Sequence, residues 1–99
     1  MRVLRTESAE ADLDAIADYY GQLNVQATLH ILDRIAQVEA VLSEYPYIGR
    51  TGRVNNTREI VVTGTPFILV YALDPHDLIV LRVLHGRQQW PSLGPEEMP

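Results

Sequence analysis

Phe67-Ile68-Leu69-Val70-Tyr71-Ala72-Leu73, then Asp74-Pro75-His76-Asp77, then Leu78-Ile79-Val80-Leu81-Arg82-Val83-Leu84-His85 is the stretch that decides the fold. Two apolar runs of strand length, rich in β-branched side chains, flank a segment with turn composition, which predicts an antiparallel hairpin. Alternation puts Phe67, Leu69, Tyr71 and Leu73 on one side and Ile68, Val70 and Ala72 on the other. In the next strand Ile79, Leu81 and Val83 share a side, Val80 and Leu84 take the opposite one, and Arg82 interrupts the pattern. Both sides are apolar, whereas an antiparallel sheet with one wet face alternates apolar with polar residues. This sheet therefore needs cover twice.

Upstream, Arg58-Glu59-Ile60-Val61-Val62 predicts another strand, joined to the hairpin by the turn Thr63-Gly64-Thr65-Pro66, and Val3-Leu4 a short first strand. Between them the period changes to that of helices. Ser8 is the expected cap of a first helix whose stripe is Leu13, Ile16, Ala17, Tyr20 and Leu23, with Asp12, Asp14 and Asp18 pointing elsewhere. Asn24 caps a second helix that runs to about Glu44, before Pro46. The short connection predicts an antiparallel helical hairpin. The expected architecture is thus α+β, an antiparallel sheet of about four strands with an N-terminal helical hairpin packed on one face. The residues after Trp90 are too few and too rich in Pro and Gly for a third helix, so the other face is expected to remain an open apolar groove. The competing arrangement folds the tail and the 45–57 loop over it. One domain is expected over residues 1–91, with 92–99 a frayed tail.

The 99 residues leave room for a single core, and 46% apolar with 21% charged residues describes an ordinary globular chain. Absence of cysteine excludes disulfides and thiolate chemistry and fits a cytoplasmic protein. The start is acidic where a signal segment is apolar, and no run approaches a membrane span. The net charge of −5 is uneven: residues 1–48 carry three Arg and eight acids, residues 49–87 five Arg and three acids. That excludes the broad basic footprint of a duplex DNA binder and leaves a local anion site open. Arg50 and Arg53, in a Gly-containing loop, either cradle an anion or are simply solvated. Arg82 needs a partner for its charge, and Glu59 across the sheet is the candidate. His85 is either a structural imidazole or a proton shuttle, and Trp90 either an interface anchor or a core plug. His30 and His76 lack a second ligand at metal-binding spacing, so neither a metal nor a cofactor is expected.

The Ala-Glu-Ala-Asp-Leu-Asp-Ala-Ile helix resembles the ParE branch of the RelE/ParE toxins. So do Gly49-Arg50, Arg58-Glu59, Val70-Tyr71 and Leu81-Arg82-Val83-Leu84-His85-Gly86-Arg87, taken in order. The resemblance implies the toxin of a type II toxin-antitoxin pair, neutralised by an antitoxin that wraps the toxin groove. Arg50, Arg53, Ile68, Leu69 and Val70 would be the antitoxin-binding residues. It implies one of two activities: poisoning of DNA gyrase, as in the ParE branch, or ribosome-dependent mRNA cleavage, as in the RelE branch. A third possibility is a degenerate toxin that only binds antitoxin.

RNA cleavage needs a general base, a proton donor and cations against the phosphorane. Where RelE-like nucleases carry Lys and Arg, this chain has Glu59, Val61 and Ile68, and Trp90 stands near the place of their C-terminal Tyr. Gyrase binding is therefore the expected activity, with Arg87, Gln88 and Trp90 as target-binding residues. If the chain is a nuclease, Glu59, Arg82, His85 and Arg87 are the candidate catalytic set.

Overall fold

A computed structural model of the chain describes residues 1–86. The chain order is β1 (Arg2–Arg5), α1 (Glu7–Leu23), α2 (Val25–Glu44), β2 (Arg50–Thr51), β3 (Arg58–Val61), β4 (Phe67–Leu73) and β5 (Asp77–His85). The five strands form one sheet in the order β1-β5-β4-β3-β2. The expected α+β architecture, with its helical hairpin ahead of the sheet, is the one observed. The sheet adds β2 as a two-residue edge strand, and β1 pairs with β5 in parallel while the other pairs are antiparallel.

Thr6, not Ser8, caps α1. Its hydroxyl accepts from the Ala9 N–H at 3.1 Å and donates to the Leu81 carbonyl at 2.9 Å, and its own N–H reaches the Val80 carbonyl at 3.0 Å. Because Thr6 ends the β1 ladder and starts the helix together, the chain turns without a loop. Asn24 is the sole residue between the helices, and its side chain accepts from the Ala27 N–H at 3.1 Å to start α2. Helix α2 is fixed to the far side of the sheet through the β3–β4 turn. There Arg34 Nε donates to the Thr63 carbonyl at 2.9 Å, and His30 Nε2 meets the Gly64 carbonyl at 3.2 Å. A carbonyl only accepts, so this contact needs the Nε2-protonated form of His30.

Ala9, Ile16, Ile31, Ile35, Val38 and Leu42 of the helices pack on Phe67, Leu69, Tyr71, Leu78, Val80 and Val83 of the sheet. The predicted faces of β4 hold. Those of β5 do not, because Val70 pairs with Arg82 while Tyr71 pairs with Val80, leaving Leu81 as an extra residue. That bulge breaks the alternation. Leu78, Val80 and Val83 face the helices, and Ile79, Leu81 and Leu84 face away.

The second face is not the bare groove expected from the sequence. Val70, Ala72, Leu81 and Leu84 form a second buried cluster with Ile79 packed against it, and Val70 has no accessible surface. The burial favours the competing arrangement, in which segments of the chain other than the helices cover this face. At the β2 end of this face the loop after β2 folds back until the Arg53 N–H reaches Glu59 at 2.8 Å.

Candidate functional site

The charged residues of interest converge on one corner of the sheet, built by β2, the start of β3 and the loops around them. Alternation in β3 turns Glu59 to the second face, directly opposite Val70 on one side and Arg50 on the other. Its side chain is 1% exposed, so its charge requires partners. Arg50 Nη2 donates at 3.2 Å to one carboxylate oxygen, and the Arg53 N–H donates at 2.8 Å to the other. Arg53 Nε adds an ion pair at 3.8 Å. Both guanidinium groups remain substantially exposed above the buried acid.

Arg82 is not the partner of Glu59. The two lie in one cross-strand row with Val70 between them, which is two strand spacings, or about 10 Å. The bulge instead carries Arg82 to the β5 edge that β1 leaves open. There its Nε and Nη2 bind Asp12 of α1 at 2.8 and 2.9 Å, and Asp12 also accepts from the Val83 N–H at 2.8 Å. In the sequence Asp12 falls outside the apolar stripe of α1. No periodicity reveals a helix carboxylate that completes a sheet edge, so the sequence offers no signal for it.

His85 lies on the helix side. It stands across from Phe67 in the β4–β5 ladder, its ring edge-on to the phenyl at 5.7 Å. With Asp12, Tyr19 and Tyr20 it lines a cavity of about 450 Å³. Glu59 and His85 are thus on opposite faces of the sheet, so the described members of the conditional nuclease set are not brought together. Arg87, Gln88 and Trp90 lie outside the described residues, as does the 92–99 tail. Of the residues proposed to contact an antitoxin, Arg50 and Arg53 are exposed and Ile68 and Val70 are buried on the second face. Leu69 belongs to the helix-facing core.

Sequence reasoning missed Tyr71. Its ring is buried in the helix-facing core, and its hydroxyl donates to the Pro46 carbonyl at 2.8 Å and accepts from the Gly49 N–H at 2.9 Å. Burial pushes the hydroxyl above its ordinary pKa, opposed by the Gly49 hydrogen bond and the charge of Arg58. A Cβ at Gly49 would collide with the Tyr71 ring, which explains glycine there. A Tyr in a strand, 22 residues from the loop it ties down, reads from sequence only as core. Among the described residues no cluster of three His, Cys, Asp or Glu is placed to hold a metal ion, and no helix is long and apolar enough to cross a membrane.

The family model described as "ParE toxin of type II toxin-antitoxin system, parDE" matches residues 3–90. The protein Y4kP of Sinorhizobium fredii is 36% identical over 93% of this chain and 95% of its own length. Toxin ParE3 of Caulobacter vibrioides is 31% identical, covering 87% of each chain, and Toxin RelE2 of the same organism is 33% identical over 86% of this chain and 94% of its own. The solved chromosomal ParDE toxin-antitoxin system from P. aeruginosa contains a chain of similar fold, with a TM-score of 0.67 and 26% identity. That likeness covers 84% of this chain and 92% of that one. The chain belongs to the ParE toxin family of type II toxin-antitoxin systems.

Proposed function

We propose that this toxin acts in the cytoplasm by binding DNA gyrase, not by cutting mRNA, and that its antitoxin first engages the exposed arginines Arg50 and Arg53. The observation that carries the choice is the separation, among the described residues, of Glu59, Arg82 and His85, three members of the conditional cleavage set. Glu59 is enclosed on one face by two arginines, His85 packs against Phe67 on the other, and Arg82 binds Asp12 at an edge. General acid-base cleavage needs its groups within hydrogen-bond reach of one phosphodiester. Arg50 and Arg53 are the exposed members of the proposed antitoxin set, whereas Ile68 and Val70 are buried and Leu69 faces the helices, which supports first engagement at the arginine corner. Arg87, Gln88 and Trp90 remain the proposed gyrase contacts, on the chemistry of Arg and Trp as interface anchors.

Purified toxin in a gyrase supercoiling assay, run beside a ribosome-programmed mRNA cleavage assay, tests the reading. Inhibited supercoiling with intact mRNA is expected. Cleaved mRNA with unaffected supercoiling overturns it. Arg50→Gln combined with Arg53→Gln should weaken capture by the protein encoded next to this chain at least tenfold, and unchanged capture removes the corner from the antitoxin site.

A further inference from the structure

We infer that Arg58 is a preformed fork for the side-chain carboxylate of an acidic peptide segment, held in a cavity at the β2 end of the sheet that is separate from the Glu59 cluster. Three other arginines of this chain show how its guanidinium groups meet acids. Arg2 binds Asp77 through Nε and Nη2 at 3.0 and 3.1 Å, Arg5 binds Glu39 through the same pair at 2.9 and 2.6 Å, and Arg82 binds Asp12 likewise at 2.8 and 2.9 Å. That edge carries two parallel N–H groups matched to a carboxylate. Arg58 uses the opposite corner of its guanidinium. Its Nη1 donates to the Tyr47 and Gly49 carbonyls at 3.1 and 2.8 Å, and its Cζ lies 5.1 Å from the centre of the Tyr47 ring. Among the described residues no acceptor occupies its Nε/Nη2 edge. The two carbonyls and the ring fix the plane of the group, so a carboxylate meets an oriented fork without the usual loss of side-chain freedom.

The surroundings select the ligand. Arg58 lines a cavity of about 620 Å³ with Tyr47, Thr51, Asn56, Ala72 and Leu73. Thr51 and Asn56 line the same cavity with polar side chains, and Tyr47, Ala72 and Leu73 contribute apolar walls for the neighbouring side chains of a peptide. Arg50, Arg53 and Arg58 share this corner, and the acid within it, Glu59, is turned to the other face and already paired. The corner is locally cationic on a chain of net charge −5, which draws an acidic segment to this place.

The test is an NMR titration of the ¹⁵N-labelled full chain, observing the Arg58 Nε–H resonance, with the probe peptide N-acetyl-Leu-Glu-Glu-Leu-amide. A saturable shift with a dissociation constant in the millimolar range is expected, and the Gln-for-Glu peptide should leave the resonance unmoved. Arg58→Lys, followed through the backbone amide shifts of Thr51 and Asn56 since it lacks the Nε–H, should weaken binding at least about fivefold, because an ammonium cannot present a fork. Thr51→Glu supplies a second test that leaves Arg58 and its loop contacts in place. Thr51 is exposed and directly opposite Arg58 in the β2–β3 ladder, so an acid there should occupy the fork and abolish peptide binding. An equal shift with the Gln peptide, an equal shift with inorganic phosphate, or shifts confined to Arg50 and Arg53 would each overturn the assignment.

Discussion

Asp12 satisfies three donors from β5, two on the Arg82 guanidinium and the Val83 N–H, and both members of the ion pair are largely buried. Removing the carboxylate would take two charge-assisted hydrogen bonds from Arg82 and the acceptor of the Val83 N–H, so Asp12→Ala is expected to lower stability by about 2–4 kcal/mol. Denaturant unfolding of the wild type, Asp12→Ala, Arg82→Ala and the double variant measures it, and a coupling below about 0.5 kcal/mol would show that the pair is not acting as a unit. Tyr71→Phe removes one hydroxyl that serves both Pro46 and Gly49, leaving two backbone groups without it. A loss of about 1–3 kcal/mol is expected in the same experiment. Charges such as Arg82 were recognisable in the sequence as needing a partner. The partner's identity was not, because it lies 70 residues away and is reached only through the bulge at Leu81.

The elements that were legible are the long periodic ones. Helix α2 and strands β4 and β5 lie where apolar spacing, Asn24 and Pro46 placed them, because each spans enough residues for the pattern to repeat. Strand β2 was not legible, since two residues carry no period, and it exists because Arg50 and Thr51 pair with Glu59 and Arg58. Nor was the parallel β1–β5 edge, which follows from α1 returning the chain beside β5. That edge is bordered by Arg2 and Asp77, bonded at 3.0 and 3.1 Å, and Arg2 holds the Asp77 carboxyl below its ordinary value of 3.8. Because its pKa is lower folded than unfolded, the folded state binds fewer protons in this range. The contribution is present above about pH 4 and is lost as pH falls through the folded value. Melting temperature against pH for wild type and Asp77→Asn should therefore show a gap at pH 6 that narrows on acidification. A gap that widens would reverse the sign. At the junction of the helices, Asn24→Ala removes the acceptor of the Ala27 N–H and should cost about 1 kcal/mol, whereas Asn24→Asp, which keeps an acceptor, should be nearly neutral.

At the scale of the whole molecule the sheet is buried from both sides, which the two-faced apolar pattern of β4 and β5 required and which helices alone did not account for. The second cluster is consequently part of the fold, and this changes how substitutions on it must be read. Val70 has no accessible surface and stands directly opposite Glu59, so Val70→Asp would bury a carboxylate beside another one. Such a charge costs several kcal/mol, comparable with the entire stability of about 5–15 kcal/mol expected for a domain of this size. Val70→Asp is therefore expected to abolish cooperative thermal unfolding, and Val70→Ala to lower stability by about 1–3 kcal/mol. Val61 is the internal comparison: it is two residues from Glu59 on the same face but 55% exposed, and Val61→Asp should stay within about 0.5 kcal/mol of wild type. Circular dichroism melts of the three variants decide the matter. If Val70→Asp melts cooperatively within a few degrees of the wild type, the face opens readily to water and an antitoxin segment has access to it. If it does not fold, any loss of antitoxin capture by that variant reports the toxin's own second core, and the arginine corner remains the surface on which recognition is to be mapped.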